Sequence, residues 1–146
     1  MANIKLLKPD PSGWILLVAL LGAAGCYWQK YDKLVRTHVE ILDAMAGKMQ
    51  DLVRRDGRLE PEQMAEFRYP LERAKDFARI VRGRYGGRES FLRFARYLER
   101  YADLLAFAEG VRADSRSAQE KAAEMAPLGE RLREEGSCVL DALTRS

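Results

Sequence analysis

Histidine occurs once in the 146 residues, at His38, and cysteine twice, at Cys26 and Cys138. One histidine rules out the usual multi-histidine metal constellations. Two cysteines without C-x-x-C spacing are too few for a disulfide framework or a cysteine-rich zinc site. No stretch alternates apolar and polar residues as a half-buried strand would, so the glycines of "RGRYGGRES" do not follow a strand as a phosphate-binding loop must. They read as a helix stop and a turn. A Ser/His/Asp arrangement would have to use His38, which falls on an apolar stripe, and the pair Glu134-Glu135 sits on an exposed tail. The sequence therefore predicts neither an enzyme nor a resident cofactor. A net charge of +3 and a pI of 8.9 fall well short of the dense Lys/Arg footprint of a nucleic-acid binder. Long apolar runs are also scarce: the single one, Trp14 to Ala24, is eleven residues, against the ~20 needed to cross a bilayer.

What is present begins with that run. It follows a leader containing Lys5 and Lys8 and ends in Ala23, Ala24, Gly25 and Cys26. A signal-peptide apolar core needs only ~7 to 15 residues. The "AAGC" ending resembles the lipobox of bacterial lipoproteins, with Ala23 where leucine is commoner. The resemblance covers the first 26 residues. It implies that the Cys26 sulfur carries diacylglycerol, that the chain is cut before Cys26, and that the new amino group is acylated. Two or three acyl chains anchor a protein where one would not. The expected organisation is a signal peptide over 1–25 and one helical-bundle domain over 26–146, since 146 residues suit a single core. Tyr27 in the place of an aspartate resembles the outer-membrane sorting signal. The expected location is thus membrane-anchored and extracytoplasmic, on the outer membrane facing the periplasm in a cell with two membranes. A second reading stays open: residues 12–28 retained as an N-terminal membrane helix, with Trp14 and Trp28 at the interfaces.

The body carries helical periodicity throughout. Tyr31, Val35, His38, Leu42, Met45, Met49 and Leu52 recur at alternating spacings of four and three, with Leu34, Ile41 and Val53 widening the stripe. Asp56-Gly57 signals a turn and Pro61 the first turn of a second helix. That helix has its seam at Met64, Phe67, Leu71, Ala74, Ala78, Val81 and Tyr85, flanked by Phe77 and Ile80. Pro70 inside it predicts a kink or a broken first turn near residues 68–71. Gly86-Gly87, able to adopt left-handed conformations, close it. A third helix from Glu89 has its seam at Phe91, Phe94, Leu98, Tyr101, Leu105 and Ala108, with Leu104 and Val111 adjacent. Ser117 and Glu120, in capping-box spacing, start a fourth near Ala118. Its stripe of Ala122, Met125 and Leu132 is sparse, and Pro127, Gly129 and Gly136 interrupt it before a short apolar helix around Val139, Leu140 and Leu143. The fold expected is all-α: an antiparallel up-and-down bundle of three long helices plus a broken fourth.

Two surface features and one buried one could carry function. Residues 68–100 hold ten Lys/Arg against four Asp/Glu, whereas residues 109–146 hold six against eight. Lys75, Arg79 and Arg82 line up on the second helix and Arg93, Arg96 and Arg100 on the third, a stripe suited to lipid headgroups, other anionic ligands or an acidic protein face. Aromatic seams on three helices also suit completion of the bundle by a protein partner or a second copy. His38 with Met45 or Met49 on one stripe is the alternative, a haem or metal site between helices, although core filling is the plainer reading, since no second histidine and no C-x-x-C-H motif completes a site. Cys138, beside Val139 and Leu140, is expected to be buried. The function expected is a membrane-anchored binding or scaffolding module.

Overall fold

The computed structural model describes the backbone of residues 11–145 and the side chains of residues 30–145. It is all-helical: α1 spans Pro11–Asp56, α2 Pro61–Tyr85, α3 Glu89–Gly110 and α4 Ala118–Arg145, with a 3-10 turn at Val111–Ala113. No strand occurs among the described residues. The chain divides into two compact units, Met1–Leu34 and Val35–Ser146. In the first, Tyr31 is buried and Leu34 is 43% exposed. Cys26 and the rest of the expected leader lie outside the described side chains. The second unit holds the remainder of α1 and all of α2, α3 and α4.

Local chemistry sets the helix ends in that unit. Gly57 adopts φ +72°, the left-handed conformation that costs glycine nothing, and its N–H returns to the Val53 carbonyl at 2.8 Å to close α1. Pro61 occupies the first turn of α2, where its missing N–H is no loss, and Gln63 Oε1 accepts the Glu60 N–H at 2.9 Å. The Ser117 hydroxyl accepts the Glu120 N–H at 3.2 Å and starts α4 as its spacing suggests. The α2–α3 turn differs from expectation. Gly86 is right-handed, at φ −59° and ψ −25°, and Gly57 is the sole residue with positive φ among those described. A side chain at Gly86 would place Cβ 2.5 Å from the Arg82 carbonyl oxygen, so close approach rather than handedness explains this glycine.

The helices run up and down. Arg68 of α2 pairs with Glu109 of α3 at one end, and the Arg82 guanidinium sits 6.0 Å from the Phe91 ring centroid near the other. On α1, Lys48 pairs with Glu66 at 2.7 Å while His38 packs on Phe77, a sequence order that requires α1 and α2 to be antiparallel. All seven residues of the α2 seam are buried, as are all six of the α3 seam together with Leu104 and Val111. On α1 the core row passes through Val39 and Ala46, and His38 and Met45 are half-buried flanks. Ile41 at 43% and Ile80 at 75% exposure correct their assignment to the core: Ile41 lies one helical step beyond its seam, and Ile80 falls on the face of α2 opposite to it.

Neither Pro70 in α2 nor Pro127, Gly129 and Gly136 in α4 breaks its helix. α2 runs unbroken through Pro70, and α4 is one helix of 28 residues rather than a broken one. Pro127 and Ala123, whose carbonyl loses its intrahelical partner, both face solvent, where water replaces the missing donor. Near Pro70, the Tyr101 hydroxyl donates to the neighbouring Phe67 carbonyl at 2.7 Å. Gly129 and Gly136 are buried contacts instead of breakers. A Cβ on Gly129 would collide with the Gln50 side chain, and one on Gly136 would lie 3.0 Å from Tyr97 Cε1. At Gly136 this bareness lets α4 approach α3 closely, which compensates for the ~1 kcal/mol that glycine costs inside a helix, whereas at Gly129 the neighbour is the flexible Gln50 amide, which can turn aside.

Candidate functional site

The outer faces of α2 and α3 diverge over a groove of about 370 Å³. Helical spacing of four and three puts Lys75, Arg79 and Arg82 on its α2 wall, while Ala78, Ala95, Leu98 and Ala102 make an apolar floor and Glu99 is the one carboxylate in the lining. Small residues at the floor keep it open. Arg79 reaches Asp76 on its own helix at 3.2 Å, in an exposed pair of little energetic weight. Arg82 lies over the Phe91 ring, whose face attracts a cation while leaving the guanidinium edge available for an acceptor. Among the described residues no carboxylate comes within ion-pair distance of Lys75.

The second arginine row does not join the first. α3 turns Ala95, Leu98, Glu99 and Ala102 toward the groove, and steps of ~100° per residue carry Arg93, Arg96 and Arg100 to the other flank of the helix. There Arg93 lies 3.7 Å from Glu89 and Arg100 3.6 Å from Asp103. The six cations form two separate rows, and the α2 row lines a concave surface.

The hydroxyl of buried Tyr97 reaches out between α3 and α1, 2.5 Å from Oδ1 of surface-exposed Asp43 and 3.1 Å from the Val39 carbonyl oxygen. The hydroxyl has one proton, and the shorter contact takes it. Burial, followed by this bond to Asp43, pushes the phenol far above its ordinary value. Partial burial raises the Asp43 carboxyl, against the opposing effects of the Tyr97 bond and the nearby Arg133. Gly136 supplies the room, since its absent Cβ would also sit 3.6 Å from Asp43 Oδ2. Neither Tyr97 nor Asp43 stood out in the sequence. Tyr97 lies directly before the seam residue Leu98, so it belongs to the flank that a single-row pattern omits.

His38 is half-buried, its ring centroid 5.0 Å from that of Phe77 and 6.2 Å from that of Phe94. Burial first, and the Arg73 guanidinium second, hold its pKa below the ordinary value. Met49 is fully buried and Met45 half-buried on the same helix. They stand about 16 and 10 Å further along its axis, given 1.5 Å per residue. Among the described residues no three His, Cys, Asp or Glu side chains gather as metal ligands would. Cys138 is a free thiol, half-buried where full burial was expected. Also among the described residues, no helix is long and apolar enough to cross a membrane. No protein-family model, curated protein or solved structure matches the chain.

Proposed function

We propose that this protein is a membrane-tethered, extracytoplasmic binding module. A leader of residues 1–25 is removed, Cys26 carries the lipid anchor, and the α2–α3 groove receives an anionic group. The lipobox-like "AAGC" supports the tether. The observation that carries the binding role is the groove: Lys75, Arg79 and Arg82 on one wall, an apolar floor, and a single opposing carboxylate, Glu99. Such a lining suits a ligand that pairs one or two negative charges with an apolar portion. Phosphate or carboxylate oxygens meet the cations, and the apolar part lies on Ala78 and Leu98. The lining of cations over an apolar floor is suited to recognition, and that is the role assigned to it.

Titrating the full chain with pyrophosphate in detergent, followed by amide chemical shifts, tests the reading. Shifts should concentrate on residues 75–82 and 95–102, weaken with added salt, and disappear in Lys75→Ala/Arg79→Ala/Arg82→Ala. Equal shifts around Arg93, Arg96 and Arg100 would show diffuse ion condensation and defeat the proposal.

A further inference from the structure

The two ends of the bundle differ in charge and in exposed apolar surface. At the end bearing the α2–α3 turn, residues 79–93 hold five arginines, Arg79, Arg82, Arg84, Arg88 and Arg93, against Glu89 alone, and the start of the bundle's share of α1 (residues 35–43) and the end of α4 (residues 134–145) at this end add two arginines and five carboxylates. The opposite end contains the turn after α1 and the connection before α4. There residues 51–68 hold four cations against five carboxylates, and residues 103–124 hold three against five. Two large apolar side chains, Ile80 at 75% and Leu92 at 56% exposure, lie within two helical turns of Gly86–Arg88. Toward the opposite end one large side chain is comparably exposed, Tyr69 at 65% beside the Arg68–Glu109 pair, and its ring carries a hydroxyl where Ile80 and Leu92 are purely aliphatic.

Chain connectivity gives this polarity a direction. The second unit begins at Val35, and His38, one turn later, packs on Phe77 of the second half of α2 and Phe94 of the first half of α3. The bundle's share of α1 therefore begins at the α2–α3 turn end. Val35 lies nine positions after Cys26, a span of at most about 32 Å in any conformation.

We infer that the α2–α3 turn end of the bundle is a docking face for anionic lipid headgroups, with Arg84 and Arg88 at the phosphates and Ile80 and Leu92 reaching the boundary of the acyl region. The inference rests on the tethered reading for the nearness of that end to the bilayer, while the charge and apolar asymmetry stand apart from it. Arginines near an anionic surface each contribute roughly a fivefold gain in partition, and inserted apolar side chains add to it. Docking here would hold the bundle in one orientation on the membrane and set the groove beside the headgroup layer.

The test uses the full chain with vesicles of phosphatidylcholine alone or with added phosphatidylglycerol, combining flotation with amide hydrogen exchange. Expected is flotation with both compositions and a several-fold slowing of exchange at residues 86–93 with the anionic vesicles only, with residues 110–118 unchanged. Arg84→Glu/Arg88→Glu and, separately, Leu92→Ser should abolish the slowing, with an unchanged melting profile showing that each variant is folded. Flotation with equal exchange in both compositions overturns the docking face and leaves the tether standing. Flotation with anionic vesicles alone, accompanied by slowing, overturns the tether and leaves the docking face. Failure to float with either defeats both.

Discussion

The Lys121 ammonium, on α4, donates to the carbonyl oxygen of Gly57 at 2.9 Å and is 6% exposed. Gly57 terminates α1, so a cation is placed where unpaired carbonyls and the negative end of the helix dipole converge. The turn is held from a second direction, because a Cβ on Gly57 would meet Ala118 Cβ at 3.2 Å. One contact thus fixes the end of α1 to the start of α4, across 64 residues of sequence.

Lys121→Met keeps most of the aliphatic stem and removes the donor. It should lower unfolding stability by about 1.5–3 kcal/mol, the range for a charged hydrogen bond in a buried setting. Urea denaturation reads this as a lower midpoint at unchanged slope. An unchanged midpoint would mean that water replaces the ammonium without loss.

Two glycine substitutions should have opposite signs. A methyl added at Gly83, in α2, would have open space for 4 Å around it, so Gly83→Ala gains helix propensity and should stabilise by about 0.5–1 kcal/mol. Gly136→Ala gains the same propensity but drives a methyl against Tyr97, whose hydroxyl contacts hold its ring in place. It should destabilise by about 1–3 kcal/mol. Thermal melts of both variants settle the comparison, and a stabilised Gly136→Ala would deny that α4 is packed closely there.

His38 imposes a pH dependence of definite sign. Its pKa is lowered in the fold, chiefly by burial and then by Arg73, so the unfolded chain binds its proton more readily. Stability contributed by the neutral ring is fully present above the unfolded value of about 6.5 and is lost as pH falls through and below it. His38→Phe removes the titration. The stability difference, variant minus native, should therefore grow between about pH 7.5 and pH 5. A difference independent of pH would place His38 in water.

The helical class, the bounds of α2 and α3 and their inner rows follow from three-and-four spacing alone, because Phe67, Leu71 and Tyr85, or Phe94, Leu98 and Tyr101, leave only one face for the core. The same spacing misplaced His38 and Met45, since a helix of 3.6 residues per turn also supports the row through Val39 and Ala46. Gly129 and Gly136 were misread for a different reason. Glycine weakens an isolated helix, and only the position of Gln50 and Tyr97 in space reveals that a side chain there would collide. The basic site was half legible. Periodicity aligned Lys75, Arg79 and Arg82 on one face and Arg93, Arg96 and Arg100 on another, but the rotation of α3 against α2 decides whether the rows converge. No repeat within either helix encodes that rotation.

Asp43→Asn separates the charge of that residue from its shape. The amide oxygen can still accept from Tyr97, while the carboxyl raised by partial burial no longer ionises. A folded value above the unfolded one means that its stabilising contribution is complete below about pH 4 and declines as pH rises through the folded value. Relative to the native chain, the variant should gain stability from acid toward neutral pH in matched urea titrations. A loss on the same passage would assign Asp43 a net favourable ion pairing, with Arg133 as the partner.

The tether is tested most directly by the intact mass of protein extracted from the membranes of the cells that make it, with Cys26→Ser as control. The expected mass is that of residues 26–146 bearing a diacylglycerol and an amide-linked acyl chain, with the control unprocessed. A mass matching the chain from Met1, identical in treatment to the control and free of acyl groups, would contradict the lipoprotein assignment.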